Sequence, residues 1–357
     1  MTTPIPPRPD VAELSGYHSP QIDVPVRLNT NESPLAPPVE FVDAWLARLR
    51  EVDLNRYPDR AATELRDGIG AMYQRLGAQI FAANGANEVL QTILLTYGGH
   101  GRKALLFEPT YAPHAHYIRI TGTTLVEAGR GSDFAIDFDA ARMVIEREQP
   151  EIVFVCRPNN PTGTVEPLAL IESLLAVVPG LLVVDEAYGE FAPDSAIDLV
   201  RNDRPLVVTR TYSKVWSLAA QRLGYCIAPE WAIAELEKVV LPYHLSAATQ
   251  LAGVEALRFS DAMRARVGLL VSERERVFAE LQATDGVTAY PSGANFILIR
   301  SEPPSPERGR ALWQSLLARG VLVRDFSHWP HVEGCLRVTI GTADENDAFI
   351  VALRASL

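Results

Sequence analysis

Cysteine is nearly missing from this chain. Cys156, Cys226 and Cys335 are the only three in 357 residues. They are odd in number, far apart and set in apolar, strand-like stretches, which excludes a disulfide framework and a C-x-x-C metal site. We expect buried thiols and no metal. Basic charge is also short: 33 Lys and Arg against 44 Asp and Glu give a net charge of -11. This argues against nucleic acid or an anionic membrane as partner, so any anionic ligand must meet locally placed arginines. No apolar run approaches the roughly 18 residues of a spanning helix. The opening MTTPIPPRPDVAEL lacks the basic-then-apolar order of an export signal, and a cytoplasmic location is expected. A complete G-x-G-x-x-G is absent too. GIGAMY, beginning at Gly68, lacks the third glycine and a preceding strand, which sets aside a nucleotide-dependent oxidoreductase.

Proline, by contrast, is concentrated at one end. Residues 1–38 hold nine of the 26 prolines and read as an extended arm that wraps over something else. Helical spacing follows in FVDAWLARLREV and ATELRDGIGAMYQRLG. Short apolar runs (IFAANG, ALLFEP, IVFVC, LLVVDE, LVVTR, GYCIAP) then alternate with stretches of helical period. That is the βαβ rhythm of an α/β fold with a mostly parallel sheet flanked by helices. We expect a large domain over 39–245 and a smaller α+β domain over 246–357, joined by part of the arm. The smaller unit opens with a long helical region and carries NFILIR, VLVRD and LRVTIG as strands.

In open α/β sheets, ligands gather at the carboxyl ends of strands. The segment TYSKVWSLAAQRLGY, residues 211–225, sits at such a place. Its Lys214 is the residue to watch, because a lysine amine that condenses with a carbonyl is the covalent handle of pyridoxal phosphate (PLP). Thr211 and Ser213 offer hydroxyls and Arg222 a guanidinium suited to a dianionic phosphate. Taken alone, the Ser-Lys pair reads more readily as a helix cap followed by a surface lysine. The rest of the chain supplies what PLP chemistry needs. Asp185, after LLVV, suits the pyridine nitrogen, where a carboxylate keeps the ring an electron sink. Tyr188 and Asn160, from VDEAY and PNNPTG, suit the ring oxygen. The turn Gly85-Ala86-Asn87, opening a helix, presents backbone N–H groups to an anion.

LNTNESP, RYPD, GANE, EPTY, PNNPTG, VDEAY, SKVWSLAAQRLGY, NFIL, VLVRD and LRVTIG occur in one order along nearly the whole chain. In this the sequence resembles the fold-type I PLP-dependent aminotransferases, and among them most closely the histidinol-phosphate aminotransferases. The resemblance implies that Lys214 carries PLP, Asp185 pairs with the pyridine nitrogen, Tyr111 stacks on the ring, and Asn160 and Tyr188 bond its oxygen. It implies that Ala86, Asn87, Ser213 and Arg222 hold the phosphate, with Tyr57 reaching it from the second subunit of a homodimer. Arg337 would clamp a substrate carboxylate, helped by Asn31. One departure is visible, since Asn87 stands where the family often has aspartate.

The implied reaction is transamination of L-histidinol phosphate with 2-oxoglutarate, a step of histidine biosynthesis. An aromatic or broad-specificity aminotransferase shares the whole cofactor site and stands as the alternative. Arg324, 13 residues before Arg337 on a neighbouring strand, bears on that choice. A second guanidinium in one cleft calls for a second anion, such as a substrate phosphate, with Tyr17 of the arm as a further partner. Arg324 paired with Asp325 or another carboxylate, holding the domain together as a structural ion pair, is the competing reading.

Overall fold

The computed structural model describes residues 5–12, 14, 16 and 20–357. Twelve strands are present among them: β1 (Val26–Leu28), β2 (Ile80–Ala83), β3 (Lys103–Glu108), β4 (Thr124–Gly129), β5 (Ile152–Cys156), β6 (Leu181–Asp185), β7 (Leu206–Thr211), β8 (Gly224–Ile227), β9 (Val287–Ala289), β10 (Phe296–Ser301), β11 (Val321–Asp325) and β12 (Cys335–Thr339). They form a seven-stranded sheet in the order β2-β8-β7-β6-β5-β3-β4 and a five-stranded sheet in the order β1-β11-β12-β10-β9.

All strands of the larger sheet run parallel except β8, which is antiparallel to both neighbours. A parallel sheet covered by helices on both faces needs apolar residues on both, which is why IVFVC and LLVV read as continuous runs. The faces separate cleanly in the packing. Val153, Val155, Leu182 and Val184 join one core, while Ile152, Phe154, Leu181 and Val183 join the other. Each such fully buried aliphatic side chain contributes about 1.5–3 kcal/mol over leaving it in water.

The chain passes from β3 outward to β4, then returns to the other side of β3 for β5. The carboxyl ends of β3 and β5 therefore flank a topological switch point, where open α/β sheets place their ligands. Tyr111 follows β3 and Asn160 follows β5.

Part of the arm is a strand. Val26–Leu28 pairs in parallel with Val321–Val323 as an edge strand of the smaller sheet. Three residues are too few to show a period, so the sequence did not mark it. Chain pairing here delivers Asn29 through Glu32 to the mouth of the larger sheet. The edge strand β4 was equally illegible, because Thr124–Gly129 is largely half-exposed and carries no apolar run. The long helical region after Ser246 is two helices. Ala247–Arg258 packs on helices Val39–Leu49 and Thr63–Met72, and Ser260–Gln282 packs on β9, β10 and the last helix, Ala343–Arg354. Among the described residues no helix is long and apolar enough to cross a membrane.

Candidate active site

A cavity of about 940 Å³ opens between the carboxyl ends of the larger sheet and the facing strands of the smaller one. Lys214, in the loop after β7, projects into it and donates from Nζ to the carbonyl of Thr30 at 3.0 Å. The amine is pushed down to about 7, first by burial and then by the positive charges of Arg337 and Arg222, with Glu32 opposing them. A lysine in that range supplies neutral amine near neutral pH, as nucleophilic and proton-transfer chemistry requires.

Asp185 ends β6 and is 2% exposed. Its Oδ2 accepts from His114 Nε2 at 2.9 Å, and its Oδ1 accepts from the Thr209 hydroxyl at 3.0 Å and from Ala187 N–H at 3.1 Å. The carboxylate is thus aimed by groups from three elements. His114 stacks on Phe154 with ring centroids 5.3 Å apart and meets Tyr111 edge-on at 5.2 Å. The Tyr111 hydroxyl in turn donates to Asn87 Oδ1 at 3.4 Å, so the asparagine that departs from the resembled pattern holds a side-chain contact.

An anion cradle lies at one end. The helix Gly85–Tyr97 presents the first-turn N–H groups of Ala86 and Asn87 to the cavity, where they have no intrahelical partner. The helix is pressed so closely on β8 that a Cβ on Gly224 would stand 2.1 Å from the Ala86 nitrogen, and a Cβ on Gly85 2.7 Å from Arg222 Nη2. Gly85 is at φ +81°, so glycine answers both demands. Arg222 itself holds φ +50°, a left-handed conformation uncommon outside glycine and asparagine, and its Nη1 reaches Ser213 Oγ at 3.4 Å. Thr211 Oγ1 donates to the same Ser213 Oγ at 3.0 Å.

The opposite side is built by the smaller sheet. Arg324 on β11 and Arg337 on β12 are register partners, 9% and 6% exposed, and both line the cavity. Arg337 donates from Nη1 to Asn160 Oδ1 at 2.6 Å and from Nη2 to the Asn29 carbonyl at 2.8 Å. Tyr188 receives Asn31 Nδ2 at 2.9 Å and Asn160 Nδ2 at 3.5 Å on its hydroxyl. Burial pushes that phenol up to about 12, against the pull of Arg337, so it remains a proton donor at neutral pH. Asp325, the other partner considered for Arg324, is taken up by Arg310 at 2.6 Å and by the Ser327 hydroxyl.

Twelve residues singled out from sequence line this one cavity: Ala86, Asn87, Tyr111, Asn160, Asp185, Tyr188, Thr211, Ser213, Lys214, Arg222, Arg324 and Arg337. Asn31 stands behind Tyr188 and does not line it, being tied to Thr339 through its N–H, 3.0 Å, and its Oδ1, 2.9 Å. Tyr57 is 79% exposed, stacked on Tyr243 at 4.4 Å and outside this chain's cavity. Tyr17 lies outside the described residues. The sequence reading missed His114, Thr209, Thr30 and Glu32. No local pattern marked His114, which lies in the first turn of the helix Pro113–Ile120 and meets Asp185 only through tertiary packing.

A seven-stranded, mostly parallel sheet with a desolvated lysine, a buried carboxylate and an anion cradle at its carboxyl edge defines an α/β enzyme built for covalent amine chemistry on a phosphorylated ligand. The chain belongs to the class I and II aminotransferases, whose family model matches residues 24–353. Its relatives include the histidinol-phosphate aminotransferase of Corynebacterium efficiens, 45% identical across 98% of this chain and 94% of its own length. That of Mycobacterium marinum is 44% identical across 98% of this chain and 91% of its own. The crystal structure of histidinol-phosphate aminotransferase from Sinorhizobium meliloti in complex with pyridoxal-5'-phosphate shares the fold, with a TM-score of 0.88 at 22% identity, covering 98% of this chain and 96% of that one.

Proposed function

We propose that this protein transfers the amino group of L-histidinol phosphate to 2-oxoglutarate with PLP, acting in the cytoplasm as a homodimer. The observation that carries the substrate is the pairing of Arg324 with Arg337 across β11 and β12, both nearly buried and both on the cavity that holds Lys214. Two guanidiniums lining one cavity can together grip a dianionic phosphate, a group that an aromatic amino acid does not carry. The relatives named above act on the same kind of substrate by their names.

The residues present fit PLP. The cradle of Ala86 and Asn87 N–H groups, Ser213 and Arg222 matches a phosphate, and its closeness at Gly85 and Gly224 leaves backbone rather than side chain facing the anion. Asp185 would hold the ring nitrogen, Tyr111 would stack on the ring, and Asn160 and Tyr188 would bond the ring oxygen. When bound, PLP supplies a carbonyl for Lys214 and a sink for the electron pair left by the departing α-proton.

The protein's own residues then do the proton work. Burial and the nearby arginines push the Lys214 amine down to about 7, so neutral amine is available near neutral pH, and it takes the α-proton at Nζ as general base. Asp185, oriented by His114 and Thr209, would keep a proton on the ring nitrogen. Tyr188 donates its hydroxyl proton in a hydrogen bond. Arg337 and Arg324 orient the phosphate of one substrate and the carboxylates of the other. Exposure of Tyr57, stacked on Tyr243, supports the homodimer, in which Tyr57 would reach the partner's phosphate cradle.

The test is a substrate comparison with purified, PLP-loaded enzyme and 2-oxoglutarate. Histidinol phosphate should exceed phenylalanine in kcat/KM. A preference for phenylalanine would replace this reading with an aromatic aminotransferase.

A further inference from the structure

The charged side chains lining the cavity are unequal in sign. Among the described residues, five are cationic (Arg119, Lys214, Arg222, Arg324, Arg337) and two are carboxylates, Asp185 and Glu32. Asp185 is committed, with both oxygens held from the protein side by His114, Thr209 and Ala187. Glu32 is not part of that arrangement. It follows β1 at the cavity mouth, and the hydroxyl of Thr30 donates to its Oε2 at 2.8 Å. The Thr30 carbonyl meanwhile receives Lys214 Nζ at 3.0 Å. One short segment therefore holds the lysine with its backbone and aims a carboxylate with its side chain. Glu32 is close enough to act on the lysine, where its negative charge opposes those of Arg337 and Arg222.

The substrate proposed above carries a group that none of the arginines can serve. Its imidazole has an N–H donor, while guanidiniums offer donors only and would leave that N–H unmatched. Tyr111, Tyr117, Phe326 and Trp329 suit the face of a flat ring, while the amide oxygens of Asn160 and Asn87 are already taken by Arg337 and Tyr111, so Glu32 is the charged acceptor on the cavity that is not held as Asp185 is. A buried N–H without an acceptor is costly. A site built to accept it rejects an isosteric ring that lacks it far more strongly than shape alone does.

We propose that Glu32 is a specificity-determining residue that accepts the imidazole N–H of the amine donor. This rests on the reading of histidinol phosphate as substrate and adds to it the group that selects imidazole over phenyl. The second amine of the cycle, glutamate, has no ring donor to offer and brings a side-chain carboxylate instead, so Glu32 contributes nothing favourable to it.

The experiment uses wild-type enzyme and Glu32→Ala with the cofactor in its aminated form, which binds amine donors without turning them over. Calorimetric affinities are measured for histidinol phosphate and for phenylalaninol phosphate, which keeps the phosphate and replaces imidazole by phenyl. Glu32 is exposed at the cavity mouth, so Glu32→Ala should weaken histidinol phosphate by roughly five- to tenfold, and phenylalaninol phosphate by less than about twofold. Glu32→Gln, which keeps an acceptor but no charge, should fall between. In the separate half-reaction of the PLP form, both variants should lose less kcat/KM on glutamate than on histidinol phosphate, because glutamate makes no bond to Glu32 and feels its removal only through Lys214. Equal loss on both phosphorylated ligands, or no loss on either, overturns the role of Glu32 and leaves the substrate reading standing. Wild-type enzyme that binds neither phosphorylated amine overturns the substrate reading and this inference with it.

Discussion

His114 Nε2 and Asp185 Oδ2 stand 2.9 Å apart, and both side chains are almost wholly buried. The imidazole is clamped between Phe154 and Tyr111, so its position and that of the carboxylate are fixed together. Among the described residues its Nδ1 has no hydrogen-bond partner, which leaves Nε2–H to Asp185 as the ring's one polar anchor. His114→Ala should reduce kcat roughly ten- to a hundredfold, on the scale of one hydrogen bond to a charged group, and loosen PLP. Asp185→Asn should cost on the order of a hundred- to a thousandfold in kcat, as loss of a preorganised charge at the reacting ring does. Steady-state kinetics at saturating PLP, with PLP affinity from absorbance titration, check both. Wild-type turnover and PLP affinity in His114→Ala would refute the positioning role.

Arg324 tests the phosphate reading from the protein side. Arg324→Ala should lower kcat/KM for histidinol phosphate roughly ten- to a hundredfold, since a charge-assisted bond contributes about 1.5–3 kcal/mol. Use of phenylalanine should change much less. Equal losses on the two donors would mean that Arg324 supports the β11–β12 pair and does not select substrate.

Much of this site was legible because strand ends and turns carry short, position-bound chemistry. Asp185 closes an apolar run, Asn160 sits in a Pro-Asn-Asn-Pro turn, and Lys214 follows Ser213, so sequence alone grouped residues that fold into one cavity. His114 was missed because it lies within a helix, Pro113–Ile120, whose buried face is set by tertiary packing on Phe154 rather than by any local pattern. Thr30 and Glu32 were missed for a different reason. They reach the site only because β1 pairs with β11, a contact across nearly 300 positions that three residues of strand cannot announce. Tyr57 could be placed by resemblance but not by one chain's structure, where it faces outward.

That outward face gives the third prediction. A tyrosine 79% exposed and stacked on another half-exposed tyrosine has its apolar surface available to a second copy. If Tyr57 completes the partner's cradle, Lys214→Ala and Tyr57→Ala proteins, each poorly active alone, should regain activity when their subunits exchange. Each hybrid then contains one site with both residues intact. Roughly a quarter of wild-type activity is the expected ceiling, because random exchange yields half hybrids, each with one good site. No recovery after exchange, shown by a tagged-subunit assay, would remove the shared-site model.

The last prediction concerns the protein without cofactor and follows from Lys214 alone. Its amine is lowered from 10.5 to about 7 in the folded chain, chiefly by burial and then by Arg337 and Arg222. Between those values the unfolded chain binds a proton at this lysine that the folded chain does not. Stability therefore rises with pH wherever the unfolded state holds the extra proton. The contribution is complete above 10.5 and is lost as pH falls toward about 7. Below that value both states are protonated, and the folded state carries the charge at the cost of burying it beside two arginines. Lys214→Met keeps the length and apolar stem while removing the proton. In urea unfolding of the apoprotein, the variant should be more stable than wild type at pH 6.5, and the gap should narrow steadily towards pH 9.5. Because every other titrating group is shared, the difference between the two curves isolates this lysine. A gap that stays constant across the range would show that the Lys214 amine titrates alike in the folded and unfolded chains, and the account of its reactivity at neutral pH would fall with it.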